Sequence, residues 1–197
     1  MKKVKPKKCK SCGKEFTPTY STLQKVCGVQ CSIAINKPKR LKKSDLLGRG
    51  DYVKLLQANI NKLVRLIDKG YWCISSGIEP KQAHAGHYHP TSTAQQVRFN
   101  LLNIWLQSAY DNTYKHGNHI GYMQGLIHNF GVDLFHEVRD LPEKYKGLKP
   151  TIEQLKSAIE ATKPLLKHET KRQGKYTLRE RVQKRREYNT AIGIYIE

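Results

Sequence analysis

His84-Ala85-Gly86-His87-Tyr88-His89-Pro90, then Arg98-Phe99-Asn100, Asn103, and Asn112-Thr113-Tyr114-Lys115-His116-Gly117-Asn118 form the stretch on which the reading of this chain turns. His87 precedes Asn103 by 16 residues and Asn103 precedes Asn112 by 9. His116 follows Asn112 by four, the step that puts two side chains on one helix face. The local pattern predicts a strand running into a turn at Tyr71 to Gly77 and a second strand over Gln82 to Tyr88. A polar loop then spans Pro90 to Gln96, Val97 to Phe99 makes a short extended return, and a helix begins over Ser108 to Tyr114.

That order puts His87 at a strand end, Asn103 in a loop and Asn112 on a helix, as in the ββα-metal core of HNH nucleases. A neutral imidazole takes a proton from water near pH 7, so His87 is the expected general base for attack on phosphorus. Asn112 and His116 would present an oxygen and an imidazole to a Mg2+ or Mn2+ ion that offsets charge on the leaving oxygen. Asn103 would hold the loop and thereby orient His87. Arg98 and Lys115 are candidate phosphate contacts. The plainer readings are a solvated loop histidine, asparagine turns, and coincidence in a chain with eight histidines.

The 197 residues carry 36 Lys+Arg against 16 Asp+Glu, a formal charge of +20, which predicts an anionic polymer as partner, with DNA foremost. No apolar run approaches the roughly 18 residues a membrane span needs, so no membrane partner is expected. No apolar segment follows the basic N-terminus, so a cytoplasmic location is expected. Residues 1–50 hold 14 of the basic side chains and two acidic ones, making this arm the main handle on phosphate. Within it Lys37, Lys39, Arg40, Lys42 and Lys43 form a basic linker with Pro38, laid on DNA or simply solvated.

Interleaved with those charges are Cys9-x2-Cys12 and, fourteen residues on, Cys27-x3-Cys31. Two short-spaced pairs fit a four-thiolate Zn2+ site with a structural role, disulfides being the alternative. Val53, Leu56, Ile60, Leu63, Val64 and Ile67 predict an amphipathic helix stopped at Gly70, with Ser44 or Asp45 as its cap. Helices are expected from Gly117 to Asn129 and from Val132 to Leu141, the latter ended by Pro142. Thr151-x2-Gln154 and Thr177-x2-Glu180 are capping boxes opening two more, the first kinked at Pro164. The last carries Arg179, Arg181, Lys184, Arg185 and Arg186, with Arg181 and Arg185 as candidate DNA contacts. The apolar run Ala191 to Ile196 suits docking on the core or on a second subunit, the latter giving a homodimer.

Ala85-Gly86-His87-Tyr88, Gln96-Val97-Arg98-Phe99-Asn100, Asn103-Ile104, Asn112, Lys115 and Gly117-Asn118 resemble the bacteriophage lambda NinG (Rap) recombination family, over about Lys8 to Leu166. The resemblance implies a structure-specific endonuclease acting on branched DNA such as D-loops and Holliday junctions. It also implies Cys-x2-Cys knuckles where this chain has Cys73-Ile74-Ser75-Ser76 and Ser108-Ala109-Tyr110-Asp111, so a second zinc is not expected. Trp72, Ile74, Trp105 and Tyr110 would supply packing in its place. The family's acidic residue three before the histidine is His84 here, a further candidate metal ligand, while Gly86 occupies the place where HNH enzymes usually carry one.

The chain is thus expected to be α+β and mostly helical. A four-Cys zinc module at 1–35 and a basic linker at 36–50 precede an HNH-like ββα-metal core at 51–141 and basic C-terminal helices at 142–197. The alternative to a nuclease is a non-catalytic zinc-containing nucleic-acid-binding protein on a degenerate HNH scaffold.

Overall fold

The stripe Leu56, Ile60, Leu63, Val64 and Ile67 lines one face of a 19-residue helix, and every member is inaccessible to solvent. The computed structural model describes residues 4–36 and 47–195, in two compact units, 1–46 and 47–197. The linker residues Lys37, Lys39, Arg40, Lys42 and Lys43, with Ser44 and Asp45, lie outside the described residues. In the first unit β1 (Lys7–Lys8) pairs antiparallel with β2 (Glu15–Phe16), and α1 (Val29–Asn36) follows.

The second unit runs α2 (Arg49–Ile67), β3 (Ala83–His87), β4 (Ile104–Ser108), α3 (His119–Phe130), α4 (Val132–Lys144), α5 (Ile152–Lys171) and α6 (Leu178–Ile192). Gly48 stands at the N-cap of α2, and the Asp51 carboxylate accepts from its amide at 3.0 Å. Both predicted capping boxes form, at Thr151 and Thr177. Pro142 sits inside the last turn of α4 rather than ending it, and α5 continues through Pro164.

β3 and β4 pair antiparallel, from Ala83 opposite Ser108 to His87 opposite Ile104. Side chains alternate across a strand, so the two-stranded ribbon has two faces. Ala85 and Ile104 join the core built on α2, α5 and the C-terminal Ile192, Ile194 and Tyr195. Trp105 joins a second core with Tyr88, Val97 and Leu102 against α3 and α4. The helices after residue 142 therefore complete the core, and the apolar C-terminus docks on it.

Two local expectations change. Tyr71 to Gly77 is not a strand: positive φ at Gly70 (83°) and Gly77 (65°) turns the chain, leaving one ladder-like bond from Ile74 N to Leu106 O, 2.9 Å. The missing strand is β4, and the expected helix at Ser108 shrinks to one wide π-helical turn, Tyr110–Tyr114. Where a second zinc is not expected, Asp111 closes the structure instead. Its carboxylate accepts from Cys73 Sγ at 3.3 Å and Ser75 Oγ at 3.0 Å, and Cys73 Sγ accepts from the Ser108 amide at 3.1 Å. Burial works against ionised Asp111, but hydrogen bonds from Ser76, Cys73 and Ser75 and the Lys115 ammonium hold its pKa down. Ile74 and Trp105 are buried there as expected, whereas Trp72 and Tyr110 are 65% and 60% exposed.

Arg181 and Arg185 correct a third expectation. Both are buried and bind Asp68 at the end of α2, through Arg181 Nε at 2.9 Å and Arg185 Nη2 at 2.7 Å. Arg185 also donates to the carbonyls of Leu101 and Ile104 and stacks 3.6 Å from the Trp105 ring centre. These arginines hold α6 to the hairpin and cannot reach a DNA backbone. Burial opposes ionisation of Asp68, yet the charges of Arg185 and Arg181 outweigh it and set its pKa below the usual carboxylate value. A depressed folded pKa stabilises fully above the unfolded value near ~3.9 and is lost as pH falls through the folded value. Asp68→Asn should cost about 3–5 kcal/mol in urea unfolding at pH 7, because it strands buried guanidinium charge. The deficit should shrink as pH falls below about 4; a deficit independent of pH would contradict this account.

Candidate active site and metal centre

In the N-terminal unit the ligand atoms of Cys9, Cys12, Cys27 and Cys31 all lie within 4.8 Å of one another. Cys12 Sγ is 3.6 Å from Cys27 Sγ, which is 3.5 Å from Cys31 Sγ. A tetrahedron with Zn–S near 2.3 Å has edges of roughly 3.8 Å, so the spacing fits zinc closely. The Cys12 amide helps draw Cys9 down to about 6, while hydrogen bonding among the thiols pushes Cys27 up to about 12. Four adjacent thiols cannot all ionise unaided, and a divalent cation is what such a set accommodates. The cysteines can therefore hold a structural metal ion such as zinc.

His87 ends β3 and turns toward α2, on the face that bears Ala85. Its Nε2 donates to the Arg98 carbonyl at 2.9 Å and lies 3.5 Å from the Gln57 amide nitrogen. Gln57 in turn donates to Asn61 Oδ1 at 2.8 Å and accepts from Arg98 Nε at 3.3 Å. Nδ1 of His87 has no protein partner among the described residues. Burial lowers the imidazole pKa, only partly countered by the Arg98 carbonyl, so the ring is neutral at pH 7. Asn103, fully buried, clamps the next segment: its Oδ1 accepts from His89 N at 2.8 Å and its Nδ2 donates to His89 O at 3.1 Å. It acts on the chain two residues past His87 and does not touch the ring.

His84 faces the other side of the ribbon, opposite Gln107. Its Nδ1 is 3.2 Å from the Asn112 side-chain amide, so the structure brings these two expected ligands together. Gln107 Oε1 lies over Gly86 on this same face and is the one buried side-chain oxygen or nitrogen left without a partner among the described residues. A side chain at Gly86 would collide with it, which accounts for a glycine there. His116 does not join them through a helix: the π-helical turn ends at Tyr114, and His116 is exposed with φ 48°. Among the described residues, the four cysteines are the only cluster of three or more His, Cys, Asp or Glu. His84, Asn112 and Gln107 offer neutral nitrogen and oxygen donors without a carboxylate. Imidazole and amide donors of this kind suit Mg2+ poorly, since that ion prefers carboxylate and water oxygens.

Lys115 is half-exposed and paired with Asp111 at 3.4 Å, and Arg98 is half-buried on Gln57. Gln57 and Asn61 were not anticipated as site residues. Their signal was two polar side chains four apart beside the buried Leu56 and Ile60.

The sequence profile described as Bacteriophage Lambda NinG protein matches residues 37–173. Protein ninG of Enterobacteria phage H19B is 33% identical over 119 residues, 60% of this chain and 58% of that one. Protein ninG of Escherichia phage lambda is likewise 33% identical over 119 residues, covering 57% of its length. The chain thus spans a little over half of these two relatives. Protein ninG of Escherichia phage 933W is 28% identical over 173 residues, 74% of this chain and 86% of that one. No solved structure matches. Among the described residues no helix is long and apolar enough to cross a membrane.

Zinc analysis of the purified chain should find one ion, lost on Cys12→Ser. A strong chelator should abolish protection of backbone amides in residues 4–36 while leaving the thermal transition of 47–195 within about a degree, because the Asp111 network needs no metal. Collapse of both units together would refute that independence.

Proposed function

Since this chain belongs to the bacteriophage lambda NinG family, we propose that it is a recombination endonuclease that cleaves branched DNA, such as D-loops or Holliday junctions, with an HNH-like core and a divalent cation. The observation that supports this most is the half-buried, neutral His87 at the end of the strand that also carries the His84–Asn112 pair. Because Nε2–H is committed to the Arg98 carbonyl, the lone pair falls on Nδ1, which is free to take a proton from an attacking water. Arg98, steadied by Gln57, supplies positive charge beside that ring, and Asn103 fixes the segment that follows it. A Mg2+ or Mn2+ ion held by His84 and Asn112 would offset the charge growing on the leaving oxygen. His84 and His87 project from opposite faces of β3, so a phosphodiester meeting both crosses the edge of that strand. The zinc module and the +20 charge supply phosphate affinity that falls steeply with salt.

The same opposition of faces, and the absence of a carboxylate beside His84 among the described residues, favours a second reading: a zinc-containing protein that binds branched DNA without cutting it. A labelled four-way junction with Mg2+ or Mn2+ separates the two. The wild type should cut, and His87→Ala should bind equally but cut roughly 10²–10⁴-fold more slowly. Cleavage should be level through neutral pH and decline only below the ordinary histidine value near ~6.5, since burial lowers the pKa of His87. Binding without cutting by the wild type would sink the nuclease reading.

A further inference from the structure

At the Tyr110 turn lies a cavity of about 460 Å³ that the chemistry above does not use, walled by Ile78, Pro80, Lys81, Tyr110 and Lys115. Ser108, the last residue of β4, and Ala109 after it line the cavity as well. Tyr110, Asp111 and Lys115 bracket Asn112 in sequence, so the cavity is built on the turn that also carries the partner of His84. Of the lining residues Ile78 is 67% and Tyr110 60% exposed, and the Tyr110 ring lies 5.8 Å from that of Tyr114, outside the cavity. Exposed apolar side chains gathered at one concave place mark a ligand more often than scattered ones do. Lys115 Nζ stands 5.2 Å from the centre of the Tyr110 ring, so the aromatic wall is already next to a cation, and the exposed Lys81 also lines the cavity. Glu79 and Asp111 also line the cavity, Asp111 paired with Lys115 at 3.4 Å, and both carboxylates disfavour a phosphate inside it. Positive charge at the rim with an aromatic, anion-averse interior fits a base that enters while its phosphates stay outside.

We propose that this cavity takes one unpaired nucleobase, stacked on Tyr110, with the adjoining phosphates on Lys81 and Lys115. Bases within a duplex have both faces covered by their neighbours, so only DNA with an unstacked base fills the site. The inference rests on the nucleic-acid reading of the protein but not on its cutting DNA. If it holds, selection of branch points is made by a pocket built on the turn that carries Asn112.

The test uses the zinc-loaded full chain, without added Mg2+ or Mn2+, and three DNAs of equal length. One is a perfect duplex; the others carry 2-aminopurine in a three-nucleotide gap or at a junction arm. Stacking should quench the 2-aminopurine emission, and the gapped and branched DNAs should bind more tightly than the duplex. Tyr110→Ala should abolish the quench and weaken binding to gapped and branched DNA on the order of tenfold, leaving duplex binding within twofold. Tyr110→Phe should behave as wild type, which guards against a mere loss of folding. Equal losses on all three DNAs, or an unchanged quench in Tyr110→Ala, would overturn the proposal. A wild type that quenches yet never cuts a junction when Mn2+ is supplied would leave it standing and overturn only the nuclease.

Discussion

Asp68 and Arg185 are each inaccessible to solvent, and nearly everything in the larger unit is arranged so that neither is left alone. The carboxylate stands at the C-terminal end of α2, where its Oδ2 also accepts from the Leu106 amide in the middle of β4. The guanidinium comes from α6, lies on Trp105, and satisfies carbonyls at both ends of the bend into β4. A buried charge pair is tolerated only when its remaining hydrogen bonds are filled, and here they are filled by backbone. One pair therefore fixes α2, the ribbon and α6 relative to one another, and the two cores can form on either side of a ribbon already in place.

Much of the helical frame was legible because a 3.6-residue period survives in the sequence wherever one face is buried. The stripe of α2 and the capping boxes of α5 and α6 belong to that class. β4 was hidden for a physical reason. Ile104, Trp105, Leu106 and Gln107 are all buried, so the strand shows no alternation, and its polar Gln107 is inside. Arginines 181 and 185 misled for a related reason: a basic helix face looks solvated until a partner as distant as Asp68 is known.

At the candidate site, residue types were readable and their grouping was not. His84 and Asn112 do meet, and Asn103 does clamp the chain beyond His87. The Asn112 to His116 step assumed a continued α-helix, whereas the chain takes one π-helical turn and then a left-handed residue. The cysteine cluster was the most transparent feature, since its spacing encodes a tetrahedron with little help from the rest of the fold.

Gly86 and Gln107 carry a consequence for how such a site can change over generations. Any larger residue before His87 would strike Gln107, whose amide is anchored to Ser75 Oγ and the Gly117 carbonyl. An acidic ligand at position 86 is thus inaccessible by a single substitution, and becomes tolerable only after position 107 has shortened. The order of steps matters, because a lineage that keeps the glutamine keeps the glycine with it.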